Sequence, residues 1–247
     1  MLVSILAFAL VLISAGLIFI FALPQTGSHR FLRPIHAFDH LRQAIGLAVE
    51  NGTRIHLTIG KAIPSQTINA AGLVGLTSLE RIAQVSSSSD RPPLATSGDG
   101  TLAILSQDTL RAVHRMANSL ELHDPARGRL TGITPFSYVV GALPIADSEN
   151  VSTHILVGNF GPEIALLVEA ADNENAFTLA SSDSLPAQAA LYASAQEPLI
   201  GEELFAIPAY LNAGRIYTAS LRTQDVLRWG VIVVIITGAV LKFMGIG

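Results

Sequence analysis

The chain of 247 residues contains no cysteine. This excludes disulfides, thiolate zinc sites, iron–sulfur clusters and cysteine nucleophiles, and it agrees with a reducing compartment. Charge is scarce as well. Only 14% of residues are Asp, Glu, Lys or Arg, where about a quarter is usual in a soluble protein. No basic stripe is present, so nucleic acid is not an expected partner. No G-x-G-x-x-G, Walker A or G-x-S-x-G pattern occurs, so the common phosphate cradles and the serine elbow are missing. No cofactor is expected.

What is abundant is apolar sequence, and it gathers at the two ends. From Leu2 to Leu23 there is no charge, and Ser4 and Ser14 are the only polar side chains. As a helix this run is about 33 Å long at 1.5 Å per residue, enough for a bilayer core of about 30 Å. A signal peptide would want a basic start, a shorter apolar stretch and a small-residue cleavage site, so a retained span is expected. A second run, Trp229 to Gly247, is broken only by Lys242, which can snorkel to the interface. Arg30, Arg33 and Arg42 flank the first run inward, and Arg215, Arg222 and Arg228 flank the second. The positive-inside rule then puts the middle in the cytoplasm and both termini outside the inner membrane. The expected organisation is a transmembrane helix at 2–23, a cytoplasmic domain at 24–228 and a transmembrane helix at 229–247.

Between the spans, β-branched runs alternate with helical periodicity. Strands are expected at Thr53–Gly60, Pro93–Ser97, Arg129–Thr134, Thr153–Asn159 and Ala176–Ser181. Helices follow at Ile68–Val85, Thr101–Ser119, Pro135–Ala146, Pro162–Ala171 and Leu185–Ser194. A leading helix starts at His36 and stops at Asn51-Gly52. "EPLIGEELFAIPAYL" reads as helical with a break near Pro208, and "TASLRTQDVLRW" as helix running into the second span. Strand–helix alternation implies an α/β fold: a doubly wound, mainly parallel five-stranded sheet, Rossmann-like or flavodoxin-like, with two transmembrane helices.

From His29 to Arg129 there are eleven Lys or Arg and eight Asp or Glu, whereas Leu130 to Gly214 has ten Asp or Glu and no Lys or Arg. A dipolar subunit can associate head to tail, although solvated acidic helix faces explain the same pattern.

In a doubly wound sheet, ligands bind at the carboxyl ends of the strands. The loops expected there are "GKAIPSQ", "SGDGT", "TP", "NFGPE" and "SSDS", which would bring Lys61, Asp99, Asn159, Glu163 and Asp183 to one edge. Lys61, the only lysine of the middle domain, beside carboxylates makes a candidate ligand-binding set. Against it, Thr134-Pro135 and Gly161-Pro162 are ordinary helix starts, Asp183 or Ser184 can cap a helix, and Glu163 suits a helix dipole. Pro162 lacks an amide hydrogen and Glu163 brings negative charge, so the turn suits a corner better than a nucleotide cradle. His36 and His40 have the i, i+4 spacing of two metal ligands, but no third ligand accompanies them and no metal site is expected. His56 and His154 fall on strands, as core or edge residues.

The text "RFLRPIHAFDHLRQAIGLAVENGTRIHLTIG", then "GNFGPE", "SSD", "PLIGEELFA" and "QDVLRW" before a terminal apolar run, resembles an uncharacterised bacterial family, a domain of unknown function. The resemblance covers nearly the whole chain. It implies membrane proteins with an N-terminal span, a Rossmann-like domain and a C-terminal span. It carries no activity, so it assigns no functional residue.

Together these features lead to the expectation of a structural or scaffolding protein rather than an enzyme, with the lipid bilayer and further copies of itself as partners. The alternatives are a small-molecule-binding or enzymatic domain using the strand-end cleft, and an accessory subunit of a larger membrane complex held by its spans.

Overall fold

The computed structural model describes residues 2–23, 32–61, 69–87 and 89–244. Two units separate: residues 33–211 form one, and residues 1–32 with 212–247 the other. The second unit holds α1 (Leu2–Ala22) and α9 (Arg215–Phe243), which pack against each other. α9 joins the amphipathic "TASLRTQDVLRW" and the terminal apolar run into one helix. Among the described residues it is the only helix long and apolar enough to cross a membrane. In α1 the corresponding apolar stretch is Ala7–Ala22, shorter than that requirement. The expectation of two such helices is therefore met at one of them. Gly16 and Gly238 face open space, so neither is used for close packing within this unit.

The first unit is an α/β sheet with helices on both faces. In chain order it runs α2 (His36–Glu50), β1 (Arg54–Gly60), α3 (Ala70–Val85), β2 (Leu94–Ser97), α4 (Gly100–Met116), β3 (Gly128–Leu130), α5 (Pro135–Ser148), β4 (Val151–Asn159), α6 (Ala165–Asn173), β5 (Phe177–Ser182), α7 (Leu185–Ser194), β6 (Glu197–Leu199) and α8 (Glu203–Tyr210). The sheet has six strands, not five, in the order β3-β2-β1-β4-β5-β6, and every pairing is parallel. This is the order of the doubly wound dinucleotide-binding sheet rather than the flavodoxin one. The added strand is Glu197–Leu199, read from sequence as helix. Three residues carry no period, and pairing with β5 decides their state. The expected break at Pro208 is also corrected, because α8 continues through it to Tyr210. Elsewhere, helix stops are written locally. Gly52 takes a left-handed φ of 63° after α2, and Asn118, Asn150, Asn175 and Asn212 take left-handed φ after α4, α5, α6 and α8.

The two faces of the sheet differ in chemistry. On one, Ile55, Leu57, Ile59, Ile155, Val157 and Leu179 pack with α2, α3, α4 and α8 into an apolar cluster, with Thr153 donating to Ala44 O of α2 at 3.5 Å. On the other, under α5, α6 and α7, polar groups lie among Leu156, Ala180 and Leu94. His56 on β1 and His154 on β4 are register partners, and their Nδ1 atoms are 3.0 Å apart. His56 Nε2 meets Thr96 Oγ1 at 2.8 Å, and Thr96 donates to Thr58 at 3.0 Å. With Thr96 donating onward, His56 must donate through Nε2 and accept through Nδ1. His154 then donates through Nδ1, and its buried Nε2 is left a bare acceptor without a partner. At the lower end of this face, Glu149 after α5 binds both Arg54 of β1 and Arg129 of β3. One carboxylate thereby joins the start of a central strand to the edge strand.

Both histidines are neutral in the fold. Burial lowers the His154 pKa to about 4; burial, then His154 and Arg129, hold His56 well below 6.5. An unfolded chain protonates both near pH 6.5, so it takes up more protons than the fold between about pH 6.5 and 4. Stability is therefore full above pH 6.5 and falls toward pH 4, by on the order of 3 kcal/mol for His154 alone. Melting of the detergent-solubilised protein across this range should show the loss, and a His56→Leu/His154→Leu double variant should flatten it. An unchanged slope in that variant would assign the acid sensitivity to other groups.

Candidate functional site

The strand order reverses between β1 and β4, so the crevice at their carboxyl ends is where a ligand would enter such a sheet. The backbones meet there at van der Waals limits. A Cβ on Gly158 would overlap the Ile59 carbonyl oxygen, and one on Gly60, whose φ is 76°, would overlap the Asn159 backbone. Gly60 O accepts from Gly98 N at 2.8 Å, and Lys61 N donates to Asn159 O at 3.0 Å. The ends of β1, β2 and β4 are thus locked into one floor.

Four of the five expected residues gather around that floor. Lys61 leaves β1 across Gly98, whose missing side chain makes room for the lysine stem. Partial burial lowers the Lys61 pKa, and the nearby Glu163 carboxylate works in the opposite direction. Among the described residues, no ion-pair partner lies within 4.0 Å of its ammonium. Asn159 Nδ2 donates to Asp183 Oδ1 at 2.6 Å, bridging the ends of β4 and β5. Glu163 lies in the turn Pro162–Ile164, and its Oε1 accepts from Gly161 N at 3.2 Å. The fifth, Asp99, is occupied with its own helix, where Oδ1 accepts from Thr101 N at 2.8 Å and Leu102 N at 3.2 Å. The part of the "GKAIPSQ" loop from 62 to 66 lies outside the described residues.

An open phosphate cradle needs free amides at a helix start. Here side chains take them. Asn69 accepts from Gly72 N at 2.6 Å before α3, Asp99 closes α4, and Thr134 with Ser137 forms a capping box before α5. Asp183 and Ser184, expected as caps, do not serve α7. Asp183 is turned to Asn159, and Ser182 Oγ accepts from Ser184 N at 3.2 Å. The crevice therefore offers one cation, an amide–carboxylate pair and a second carboxylate, a set suited to holding a small polar molecule. No general base is paired with a nucleophile in this set.

His36 and His40 lie one turn apart at the start of α2. His40 Nδ1 contacts Glu197 Oε1 at 2.5 Å, and no group of three or more ligands occurs among the described residues. Sequence reasoning missed the linked His154, His56, Thr96 and Thr58. It also missed Tyr138, a buried phenol beside Thr96 and the Gly60 backbone, whose pKa burial raises. Each sits on a strand or helix with an ordinary pattern, and they come together only through the pairing of β1 with both β2 and β4 and the packing of α5 on the sheet.

If Asp99 is a cap and nothing more, Asp99→Ala should cost about 1 kcal/mol of stability, read as a lowered melting temperature. A variant that melts higher than the parent would make Asp99 a strained ligand-facing charge instead.

Comparison with curated proteins and with solved structures finds no match. One family does match, over residues 2–246, and its description is a domain of unknown function, DUF6754. With the match spanning almost the whole chain, the protein belongs to the DUF6754 family.

Proposed function

We propose that the protein is a structural, scaffolding component of a membrane, anchored by two spans and assembled with copies of itself through its α/β unit. The observation that carries this reading is a clasp between the two ends of that unit. Tyr210 Oη donates to Arg33 O at 2.6 Å, Arg42 donates to Tyr210 O at 2.9 Å, and the Tyr210 ring stacks on Phe38 with centroids 4.3 Å apart. Chain enters and leaves the unit at one place, which is what a double tether to one bilayer requires. The length and apolarity of α9 support a span, as does the charge-free sequence of α1. The arginines at 33, 42, 215, 222 and 228, against Lys242 alone at the far end, support a cytoplasmic unit with both termini outside an inner membrane. The side-chain caps at the helix starts favour a structural role over nucleotide chemistry. In mass photometry of the solubilised protein, we expect a discrete mass that is a multiple of 26.1 kDa plus detergent; a monomer would overturn the reading.

The crevice supports a second reading, a small-molecule site, because Lys61 is partly desolvated there and feels the Glu163 carboxylate as a counter-charge. On this reading a small polar ligand raises the melting temperature of the parent protein. Lys61→Ala abolishes that shift and leaves the assembly mass unchanged. A shift that survives Lys61→Ala would remove the crevice as the site.

A further inference from the structure

Arginine gathers at the strand starts. Arg54 opens β1, Arg91 precedes β2, and Arg127 and Arg129 lie beside and within β3. Parallel strands begin at one edge, so these residues lie at the pole of the unit opposite the crevice. Arg54 and Arg129 reach the same carboxylate, and Arg127 is two residues from Arg129, on the side of the sheet that α5 covers.

Counter-charge at this pole is short. Glu149 gives one carboxylate oxygen to Arg54 and the other to Arg129, the latter at 2.6 Å. Both oxygens are then engaged. Arg127 has Asp124 at 3.8 Å, beyond hydrogen-bond reach, and its Nη1 donates to Pro92 O at 3.2 Å. Arg91 Nη1 donates to Glu149 O at 3.5 Å. The C-terminal end of α5 adds about half a negative charge. Four guanidiniums therefore meet two carboxylates and a helix end. Asp90 and Asp147 are exposed and, among the described residues, pair with none of the four. Water screens the excess poorly, because the side chains of Arg54 and Arg127 are only 15% and 17% exposed. Nε of each is buried and has no acceptor among the described residues. Burial, then repulsion from Arg54, lowers the Arg127 pKa, against the pull of Asp124 and Glu149. An open groove of about 570 Å³ runs beside β3 and reaches the cluster at Arg129. Thr131 and Ser148 bring hydroxyls to it, and Leu130, Pro144 and Ile145 an apolar wall. Arg129 is 37% exposed there. Its Nε donates to Ala126 O at 2.8 Å and its Nη2 to Glu149, which leaves Nη1 without a partner among the described residues.

We propose that this pole is a phosphate site: a phosphate compound binds with its phosphate group on Arg127 and Arg129, Arg91 at the rim, and the remainder of the molecule along the groove. A guanidinium presents its donors as a planar fork that matches phosphate oxygens, and a dianion supplies the missing counter-charge. The apolar wall suits an ester with an organic body. The site is separate from the crevice and does not depend on self-assembly.

The test uses the full chain in an uncharged detergent at fixed ionic strength, titrated with phenyl phosphate in a calorimeter. Saturable binding to the parent is expected. Arg127→Gln should weaken it at least about tenfold, the loss of one charge-assisted hydrogen bond. Arg91→Gln, at an exposed residue where folding is not at risk, should weaken it in the same direction. Arg111→Gln, an exposed arginine of α4 outside the cluster, should leave it unchanged. Glu149→Gln separates binding from architecture. It removes the competing charge, so phenyl phosphate should bind more tightly even as the melting temperature falls. Inorganic phosphate and dihexanoyl phosphatidate identify the source of the group. Phosphatidate binding far more tightly than phenyl phosphate makes it a lipid headgroup, and comparable affinities make it a soluble phosphate; either result keeps the site. No saturable binding of any of the three probes overturns the proposal and leaves the arginines as a purely structural network. Binding that neither Arg127→Gln nor Arg91→Gln weakens overturns it as well.

Discussion

The parallel pairing of β1 with β4 is the constraint on which the rest of the unit depends. Two chain segments separated by about ninety residues meet there without side chains at Gly60 and Gly158, so that each backbone touches the other. The pairing reverses the strand order, and that opens the crevice. It places Lys61 beside Asn159 at the carboxyl end and joins His56 to His154 in the middle of the sheet. At the amino end it brings Arg54 to Glu149. A carboxylate, an imidazole pair and a backbone floor thus follow from one register.

That register also explains why the two faces of the sheet differ. The residues of β1 facing α2 and α3 are Ile55, Leu57 and Ile59, and their burial is simple hydrophobic transfer. The alternate residues, His56 and Thr58, face α5 and must satisfy hydrogen bonds without water. They do so through neighbours on β2 and β4. A network that links three strands, open only at His154 Nε2, ties the position of β1 to β2 as well as β4. The polar face therefore specifies alignment, while the apolar face supplies most of the burial.

The crevice illustrates how a fold can carry a ligand-binding topology without its usual chemistry. Helix N-termini at the carboxyl edge are ready-made anion sites only while their amides are free. Asn69, Asp99 and Thr134 each occupy one or two of those amides. The sheet order matches that of the doubly wound dinucleotide-binding fold, while at three of its helix starts a side chain takes one or two of the first amides. Membership of a family described only as a domain of unknown function adds no activity to this picture.

Much of the unit is legible in the sequence because its causes are local. Continuous β-branched and apolar runs mark strands buried on both faces, and Asn51-Gly52 and Thr134-Pro135 mark a helix stop and start through local backbone geometry. The carboxyl-edge grouping of Lys61, Asn159, Glu163 and Asp183 follows from alternation alone, since every parallel strand delivers its next loop to the same side. What only the tertiary structure decides is non-local. Strand order, the sixth strand at Glu197–Leu199, the His56–His154 bond and the sharing of Glu149 by Arg54 and Arg129 depend on which strands become neighbours. The same holds for the clasp of Tyr210 on Arg33 and for the open flank of β3. No period in the chain encodes a partner, because register and adjacency are settled by packing between segments far apart in sequence.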